Sequence, residues 1–214
     1  FINFDDMLSL VKKQKAHFNP RVSKKSHYAD INFDLLGKII EKVSGLNLAN
    51  AYGKYIFEPL ELIKTYLPES EKDFIPKIYY KENPIHLPKM IISCGASGGC
   101  ITTAHELMLF LKAFFQGKLF DKEIFNTLSN YKRLQISMGP ICYGGGYMQI
   151  PLEGFISLFM GKGELLGHSG STGSFAFYYP EKDLFFVGDL NQMATTSLPI
   201  KLLMKLALVS RNIN

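Results

Sequence analysis

Apolar and polar residues alternate along residues 174–179 of the chain. Phe175, Phe177 and Tyr179 fall on one face of this stretch, as in a strand with one buried face. Pro180 suits a tight turn because its φ angle is already restricted, and an apolar run at 184–188 follows it. The pattern predicts a β-hairpin. With the glycine-rich and aromatic stretch from residue 143, it predicts at least three antiparallel strands over 143–191. An apolar helix over 197–210 is expected to lie across one face.

The first part of the chain has a helical rather than a strand period. Residues Phe33, Leu36, Ile40 and Val43 form one stripe, and Gly45 is a natural helix stop. Further helices are predicted over 4–17, with Met7, Leu8 and Val11 inward, and over 48–57, 104–116 and 121–129. Four prolines in 64–93 predict loops and short extended pieces there.

The helix that begins near residue 104 carries a capping-box pattern. Thr103 and Glu106 have the spacing at which each side chain reaches the other residue's free backbone N–H. Leu107, Leu111 and Phe114 are expected to be buried in this helix.

These elements predict a chain of the α/β class, of the α+β type. A mostly helical part at 1–140 precedes an antiparallel sheet with a closing helix at 141–214, and together they form one domain. A chain of 214 residues with 47% hydrophobic content is long enough for a sizeable core.

Composition excludes several classes of function. The net charge is +5, but the lysines are scattered and form no basic stripe, so no nucleic-acid partner is expected. Lysines interrupt the apolar runs too early for a membrane span. The three cysteines lack metal-ligand spacing and their number is odd, which favours buried thiols over a disulfide framework.

Three serines lie in patterns that occur around nucleophiles. Ser97 lies in a G-x-S-x-G stretch, as in the nucleophile elbow of α/β-hydrolases, but it precedes helices and antiparallel strands; a glycine turn is favoured. Ser169 has the same surroundings with a serine in place of the last glycine. Ser9 and Lys12 match S-x-x-K, although their neighbours are typical of one amphipathic helical turn.

The tripeptide Tyr28-Ala29-Asp30 comes directly before a predicted helix and allows two interpretations. In the first, Asp30 caps the helix and Tyr28 packs at its start. In the second, Tyr28 is a general base whose phenol has its pKa lowered by a nearby cation.

Taken in order, the motifs of the chain resemble one superfamily. The chain is similar to the serine β-lactamase and penicillin-binding-protein-like superfamily, and most of all to its class C branch with the related esterases and D-peptidases. The resemblance runs from about residue 18 to the C-terminal helix. It rests on Asn19-Pro20, Tyr28-Ala29-Asp30, the helix 35–45, Ile56-Phe57-Glu58-Pro59-Leu60, the segments 98–104 and 143–147, and His168-Ser169-Gly170.

The resemblance implies roles for five residues. Tyr28 and Asp30 match the family's Y-x-N motif, with an acid in place of the amide, and His168 and Gly170 match its K-T-G or H-x-G strand motif. Ser171 would supply a backbone N–H to the oxyanion hole. No metal or cofactor is implied, the substrate would be a small molecule or a peptide, and an exported location is usual in this family.

The family's S-x-x-K motif has no counterpart here, because Ser9 is too close to Tyr28 to correspond to it. We therefore expect this chain to be the C-terminal part of a family member and inactive by itself. A missing helix would leave Leu36, Ile40, Leu107 and Leu111 uncovered unless a further segment or a partner chain fills the gap. The alternative is a non-catalytic member that binds peptides or cell wall.

His168 bears on the choice of substrate. Where relatives carry a lysine, a permanent positive charge faces the substrate, whereas histidine is mostly neutral at pH 7 with a reference pKa near 6.5. The sequence therefore predicts a preference for esters or D-amino-acid amides over β-lactams. The other interpretation is that His168 only caps the strand edge.

Overall fold

In a computed structural model, residues 3–19, 26–135, 138–153 and 162–210 are described. The chain divides into two compact units. Unit 1 comprises Phe1–Val22, Ala29–Ile78 and Asn83–Glu106, and unit 2 comprises Ser23–Tyr28, Tyr79–Glu82 and Leu107–Asn214. The division of the chain at residue 140 stays a prediction.

Unit 1 is built mainly from helices. They are α1 (Phe4–Lys12), α2 (Ile31–Ser44), α3 (Leu48–Tyr52), which continues as a π-helical turn over Gly53–Phe57, and α4 (Pro88–Cys94). Helix α2 ends as predicted, since Gly45 has a φ of 70° and its N–H donates to the Glu41 carbonyl.

Helix α1 is shorter than predicted and buries none of its residues. Val11, expected to face inward, is exposed, and so is Leu10.

Helix α2 buries a different face from the one that its apolar stripe predicts. Its buried residues are Asp34 and Gly37, whereas Leu36 and Ile40 are exposed and Val43 is 83% exposed. Gly37 allows close contact, because a Cβ atom there would lie 2.7 Å from the Cβ of Ala96. The exposure of Leu36 and Ile40 agrees with the expectation from the sequence that these two residues are left uncovered.

The proline-rich stretch contains short extended pieces, as predicted, and one short helix that was not predicted. Strands β1 (Ile78–Tyr80) and β2 (Asn83–Ile85) form a two-stranded sheet, and α4 begins at Pro88. Proline is well tolerated in the first turn of a helix, where its missing N–H would have no partner within the helix. The seven-residue α4 therefore fits a stretch in which proline prevents a long helix.

Unit 2 contains a six-stranded antiparallel sheet whose strands follow one another in chain order. The prediction of at least three antiparallel strands over 143–191 is confirmed. The strands are β3 (Lys132–Arg133), β4 (Cys142–Gly144), β5 (Tyr147–Pro151), β6 (Glu164–Ser169), β7 (Ser174–Tyr179) and β8 (Leu184–Asp189).

One face of this sheet packs against helix α7 (Leu198–Ser210), as the sequence predicts. Phe175, Phe177 and Tyr179 are buried on this face, and Leu203 and Ala207 of α7 belong to the same core. A short 3-10 turn at Pro180–Lys182 joins β7 to β8.

Helices α5 (Ala104–Phe115) and α6 (Lys122–Leu128) also lie where they are predicted. In unit 2, Phe115 and Phe125 contact the ring of Tyr147 on β5. Leu111 is buried and Leu107 is half-buried, so the expected uncovering of these two leucines is not observed. Only Leu36 and Ile40 of that predicted patch are exposed.

The capping box of α5 is half formed. The Glu106 N–H donates to Thr103 Oγ1 at 3.2 Å, as predicted. The Glu106 carboxylate, however, accepts from the Lys64 N–H and from the Thr65 hydroxyl of unit 1.

Candidate functional site

Tyr28 and His168, far apart in sequence, are neighbours in unit 2. Their ring centroids are 5.7 Å apart and the planes are inclined at 44°. The segment before Tyr28 is held along β3, because the Ser26 N–H donates to the Arg133 carbonyl at 3.0 Å. The Tyr28 N–H donates to Gln135 Oε1 at 3.3 Å. Backbone hydrogen bonds thus fix the tyrosine beside the histidine's strand.

His168 lies near the end of β6 and is opposite Ala176 of β7. Its Nδ1 is 3.0 Å from the Ser169 carbonyl oxygen. A carbonyl oxygen can only accept, so Nδ1 carries the hydrogen in this contact. In the neutral ring, Nε2 then bears the lone pair and can accept a hydrogen bond or a proton. Donation from a neutral His168 to a substrate would therefore require the Nδ1 contact to break.

Gly170 and Ser171 form the start of the turn between β6 and β7. The Gly170 N–H donates to the Ser174 carbonyl at 2.8 Å, and the Gly170 carbonyl accepts from the Gly173 N–H at 3.1 Å. Ser171 is exposed. Within the described ranges, no backbone carbonyl accepts from the Ser171 N–H. A backbone N–H of this kind can donate a hydrogen bond to an oxyanion.

A third aromatic ring, which the sequence analysis did not assign to the site, contacts both Tyr28 and His168. The Tyr143 centroid is 5.6 Å from that of Tyr28 and 5.9 Å from that of His168, with interplanar angles of 64° and 79°. Burial, and to a lesser extent Tyr28, raises the pKa of Tyr143, so its phenol stays protonated at neutral pH. The signal was present, since Tyr143 opens a motif that contributes to the family resemblance.

Comparison of this chain with known proteins identifies its family. The family model described as Beta-lactamase matches residues 3–209. The chain belongs to the Beta-lactamase family. Its fold is that of the serine β-lactamase and penicillin-binding-protein-like superfamily, as the motifs predict.

Solved structures of the Beta-lactamase fold superpose on nearly the whole chain. The D-stereospecific amidohydrolase from Streptomyces sp. has a TM-score of 0.72 at 22% identity, over 99% of this chain and 61% of that protein. The octameric penicillin-binding protein homologue from Pyrococcus abyssi has a TM-score of 0.72 at 27% identity, over 97% of this chain and 47% of that protein.

A curated relative in the family is the teichoic acid D-alanine hydrolase of Staphylococcus aureus. It is 29% identical over 131 residues, which are 59% of this chain and 32% of the relative. The matched part of this chain therefore spans about a third of that relative's length.

Asp30, the second residue matched to the family's Y-x-N motif, belongs to unit 1, whereas Tyr28 belongs to unit 2. Asp30 stands at the N-cap position of α2 in a helical conformation, with φ of −57° and ψ of −35°, and its side chain makes no capping hydrogen bond. The interpretation that its carboxylate caps α2 is therefore wrong.

Ser97 does not occupy a nucleophile elbow. It lies in a 3-10 turn, Gly95–Ser97, that follows helix α4 and not a strand, and its hydroxyl donates to the Cys94 carbonyl at 2.6 Å. Ser9 and Lys12 are both exposed on α1, as expected of an ordinary amphipathic turn. A strand, β7, follows Ser169 and Ser171, so the second elbow-like stretch is also excluded.

The cysteines differ from the predicted buried thiols. All three are free, Cys94 and Cys142 are half-buried, and Cys100 is exposed. Burial raises the pKa of Cys94, and the nearby Asp30 and Asp34 add to the effect. Across the part of the chain that the structure describes, no three His, Cys, Asp or Glu side chains cluster as metal ligands would. No helix there is long and apolar enough to cross a bilayer.

Proposed function

We propose that this chain is the part of a serine hydrolase that carries the proton-transfer tyrosine, the strand histidine and an oxyanion donor. The observation that supports this most strongly is the contact of Tyr28 with His168, in the same unit as the turn that exposes Ser171. The reaction is hydrolysis of an amide or ester bond through an acyl-enzyme. No serine and lysine among the 214 residues match the family's S-x-x-K motif in position. We therefore expect the chain alone to be inactive.

In the proposed reaction, the serine Oγ attacks the substrate carbonyl carbon. Its proton passes to Tyr28, which acts with the S-x-x-K lysine as general base. The Ser171 N–H and the serine's own N–H stabilise the oxyanion, each contributing on the order of a hundredfold or more in rate. The C–N or C–O bond then breaks, the leaving amine or alcohol receives a proton, and water hydrolyses the acyl-enzyme to the carboxylic acid.

His168 favours esters and amides of D-amino acids as substrates. A neutral imidazole with its Nδ1 hydrogen directed to the Ser169 carbonyl offers no positive charge to a β-lactam carboxylate. The teichoic acid D-alanine hydrolase and the D-stereospecific amidohydrolase have names that agree with such substrates. Asp30 limits the similarity, since an ionised acid cannot donate the hydrogen bond that the family's amide would.

The proposal is tested by steady-state kinetics of the protein with its S-x-x-K region. The substrates are nitrocefin, p-nitrophenyl acetate and a D-alanine p-nitroanilide. We expect ester or D-alanine amide turnover to exceed nitrocefin turnover at pH 7 to 8. Tyr28→Phe keeps the ring but removes the phenol, and should lower kcat by about 100-fold or more. Binding of cell-wall peptide without turnover of any substrate would instead favour the non-catalytic alternative.

A substitution at His168 tests the charge argument. His168→Lys should raise kcat/KM for nitrocefin about tenfold, the effect of roughly 1.4 kcal/mol of attraction between a new positive charge and the carboxylate. His105→Lys makes the same change at an exposed position of α5 and is the matched control. Efficient nitrocefin turnover by the unmodified protein, with little ester activity, would show that the argument is wrong.

A further inference from the structure

Tyr143 is the shared neighbour of the two rings at the candidate site. It contacts both Tyr28 and His168 edge to face, at 5.6 and 5.9 Å between centroids, while those two rings contact each other at 5.7 Å. The three rings therefore form a closed triangle. Edge-to-face pairs are favoured over face-to-face stacking because the positive edge of one ring meets the negative face of another.

Tyr143 is itself held in place by its own hairpin. Its hydroxyl donates to the Gly146 carbonyl at 2.9 Å, across the turn between β4 and β5. Gly145 and Gly146 in this turn have φ angles of 62° and 86°, which glycine adopts without a steric penalty. Tyr143 also pairs with Met148 in the strand register and packs against the core of unit 2. The Tyr143 side chain is therefore held by the hydrogen bond of its hydroxyl, by the strand pairing and by packing against the core.

We propose that Tyr143 is a positioning residue that holds the Tyr28 phenol and the His168 imidazole in their mutual orientation. This inference rests on the proposed function for its catalytic consequence, but the positioning itself is a property of unit 2. In this proposal Tyr143 acts through its ring, because the ring contacts both Tyr28 and His168, while its hydroxyl donates to the Gly146 carbonyl. Removal of the ring should leave Tyr28 and His168 in several orientations, with the catalytic geometry formed only part of the time.

Nuclear magnetic resonance of the 214-residue chain tests the positioning without any activity. The probe is the Cε1–H resonance of His168, which feels the ring currents of its neighbours. Tyr143→Leu should move and broaden this resonance, whereas Tyr143→Phe, which keeps the ring, should restore it. Tyr178→Leu is the matched control, since that ring lies on the same sheet and pairs with Phe115 and Phe185.

The inference is wrong if Tyr143→Leu leaves the His168 resonance where it is in the unmodified chain. It is equally wrong if Tyr178→Leu moves that resonance as far, because the effect would then be general loosening of the sheet. If Tyr143→Leu does not fold, Tyr143→Met restores more of the side-chain volume and is tested by the same criteria.

Kinetics of the protein with its S-x-x-K region separate the inference from the proposed function. Tyr143→Leu should lower kcat about tenfold or more, because the ring contacts with both Tyr28 and His168 are lost. KM should change less, and Tyr143→Phe should recover most of the rate. If the unmodified protein has no hydrolase activity, the proposed function fails while the resonance test still decides the inference. A Tyr143→Leu protein with unchanged kcat but a displaced His168 resonance would overturn the catalytic consequence alone.

Discussion

Replacement of Glu106 by glutamine tests whether its buried carboxylate stabilises unit 1. Glu106 is 5% exposed in the first turn of α5. The Lys64 N–H donates to both its oxygens, at 2.9 and 3.1 Å, and the Thr65 hydroxyl donates to Oε2 at 2.5 Å. Thr65 Oγ1 also lies 2.7 Å from Thr102 Oγ1. The carboxylate therefore joins the start of α5 to the segment at 64–65.

The size of the effect follows from these contacts. Glutamine keeps one carbonyl oxygen for the Lys64 N–H, but its NH₂ group can only donate, so the Thr65 hydroxyl can no longer donate there and has to turn its hydrogen to Thr102 Oγ1. One charge-assisted hydrogen bond is lost, at a cost of about 2 kcal/mol. Glu106→Ala would leave both the Lys64 N–H and the Thr65 hydroxyl without this acceptor, at about 1–3 kcal/mol for each buried donor.

Two measurements test this prediction. Urea unfolding gives the loss of free energy, and amide hydrogen exchange at Lys64 reports on the site itself. A loss of about 2 kcal/mol should weaken protection of the Lys64 amide roughly 30-fold. Glu123→Gln makes the same change in the exposed first turn of α6 and should shift stability by less than about 0.5 kcal/mol.

A double-mutant cycle with Thr65→Val isolates the direct contact. Residues that share a hydrogen-bond network show coupling of about 0.5–3 kcal/mol. Equal effects of Glu106→Gln and Glu123→Gln, or an unchanged Lys64 amide, would refute the view that the carboxylate holds this network together.

Two further predictions concern one backbone contact and one titrating group. Gly167→Ala should destabilise unit 2 by about 3 kcal/mol or more, because the new Cβ would lie 2.0 Å from the Ala176 carbonyl oxygen of the adjacent strand. A Tm equal to that of the unmodified chain would contradict this prediction. Burial raises the pKa of Asp34, and this effect outweighs the lowering of the pKa by the hydrogen bonds with Ser97. The stability that the protonated carboxyl contributes is therefore present in acid and is lost as pH rises through the folded-state pKa. Asp34→Asn should therefore raise Tm at pH 7 and lose this advantage towards pH 3; a gain in Tm that is equal at both pH values would show that the charge is not the cause.

Much of the fold could be predicted because its signals are local. The alternation at 174–179 predicted which side chains of β7 are buried, since successive residues of a strand point to opposite faces. Gly45 predicted the end of α2, because a left-handed residue stops a helix at low cost where there is no Cβ. The order of short motifs predicted the family, and the family model confirms it over residues 3–209.

The choice of face on α2 could not be predicted from the stripe alone. A helical period shows that a face is apolar, but whether that face is covered depends on what the tertiary structure brings to it. In this chain Gly37, without a side chain, allows close contact with Ala96, while Leu36 and Ile40 stay exposed. Close backbone packing at a glycine has no signature in hydrophobic periodicity.

The candidate site, like the fold, could be predicted only in part from the sequence. The sequence predicted which residues could carry the chemistry, because Tyr28, His168 and the turn at Gly170 and Ser171 stand in recognisable local motifs. Only the tertiary structure decided which of them meet. Strand register and the hydrogen bonds along β3 bring Tyr28 to His168 and add Tyr143, and these contacts join residues from distant parts of the chain. Spacing within a motif is a local property, whereas register is set by the packing of the whole sheet.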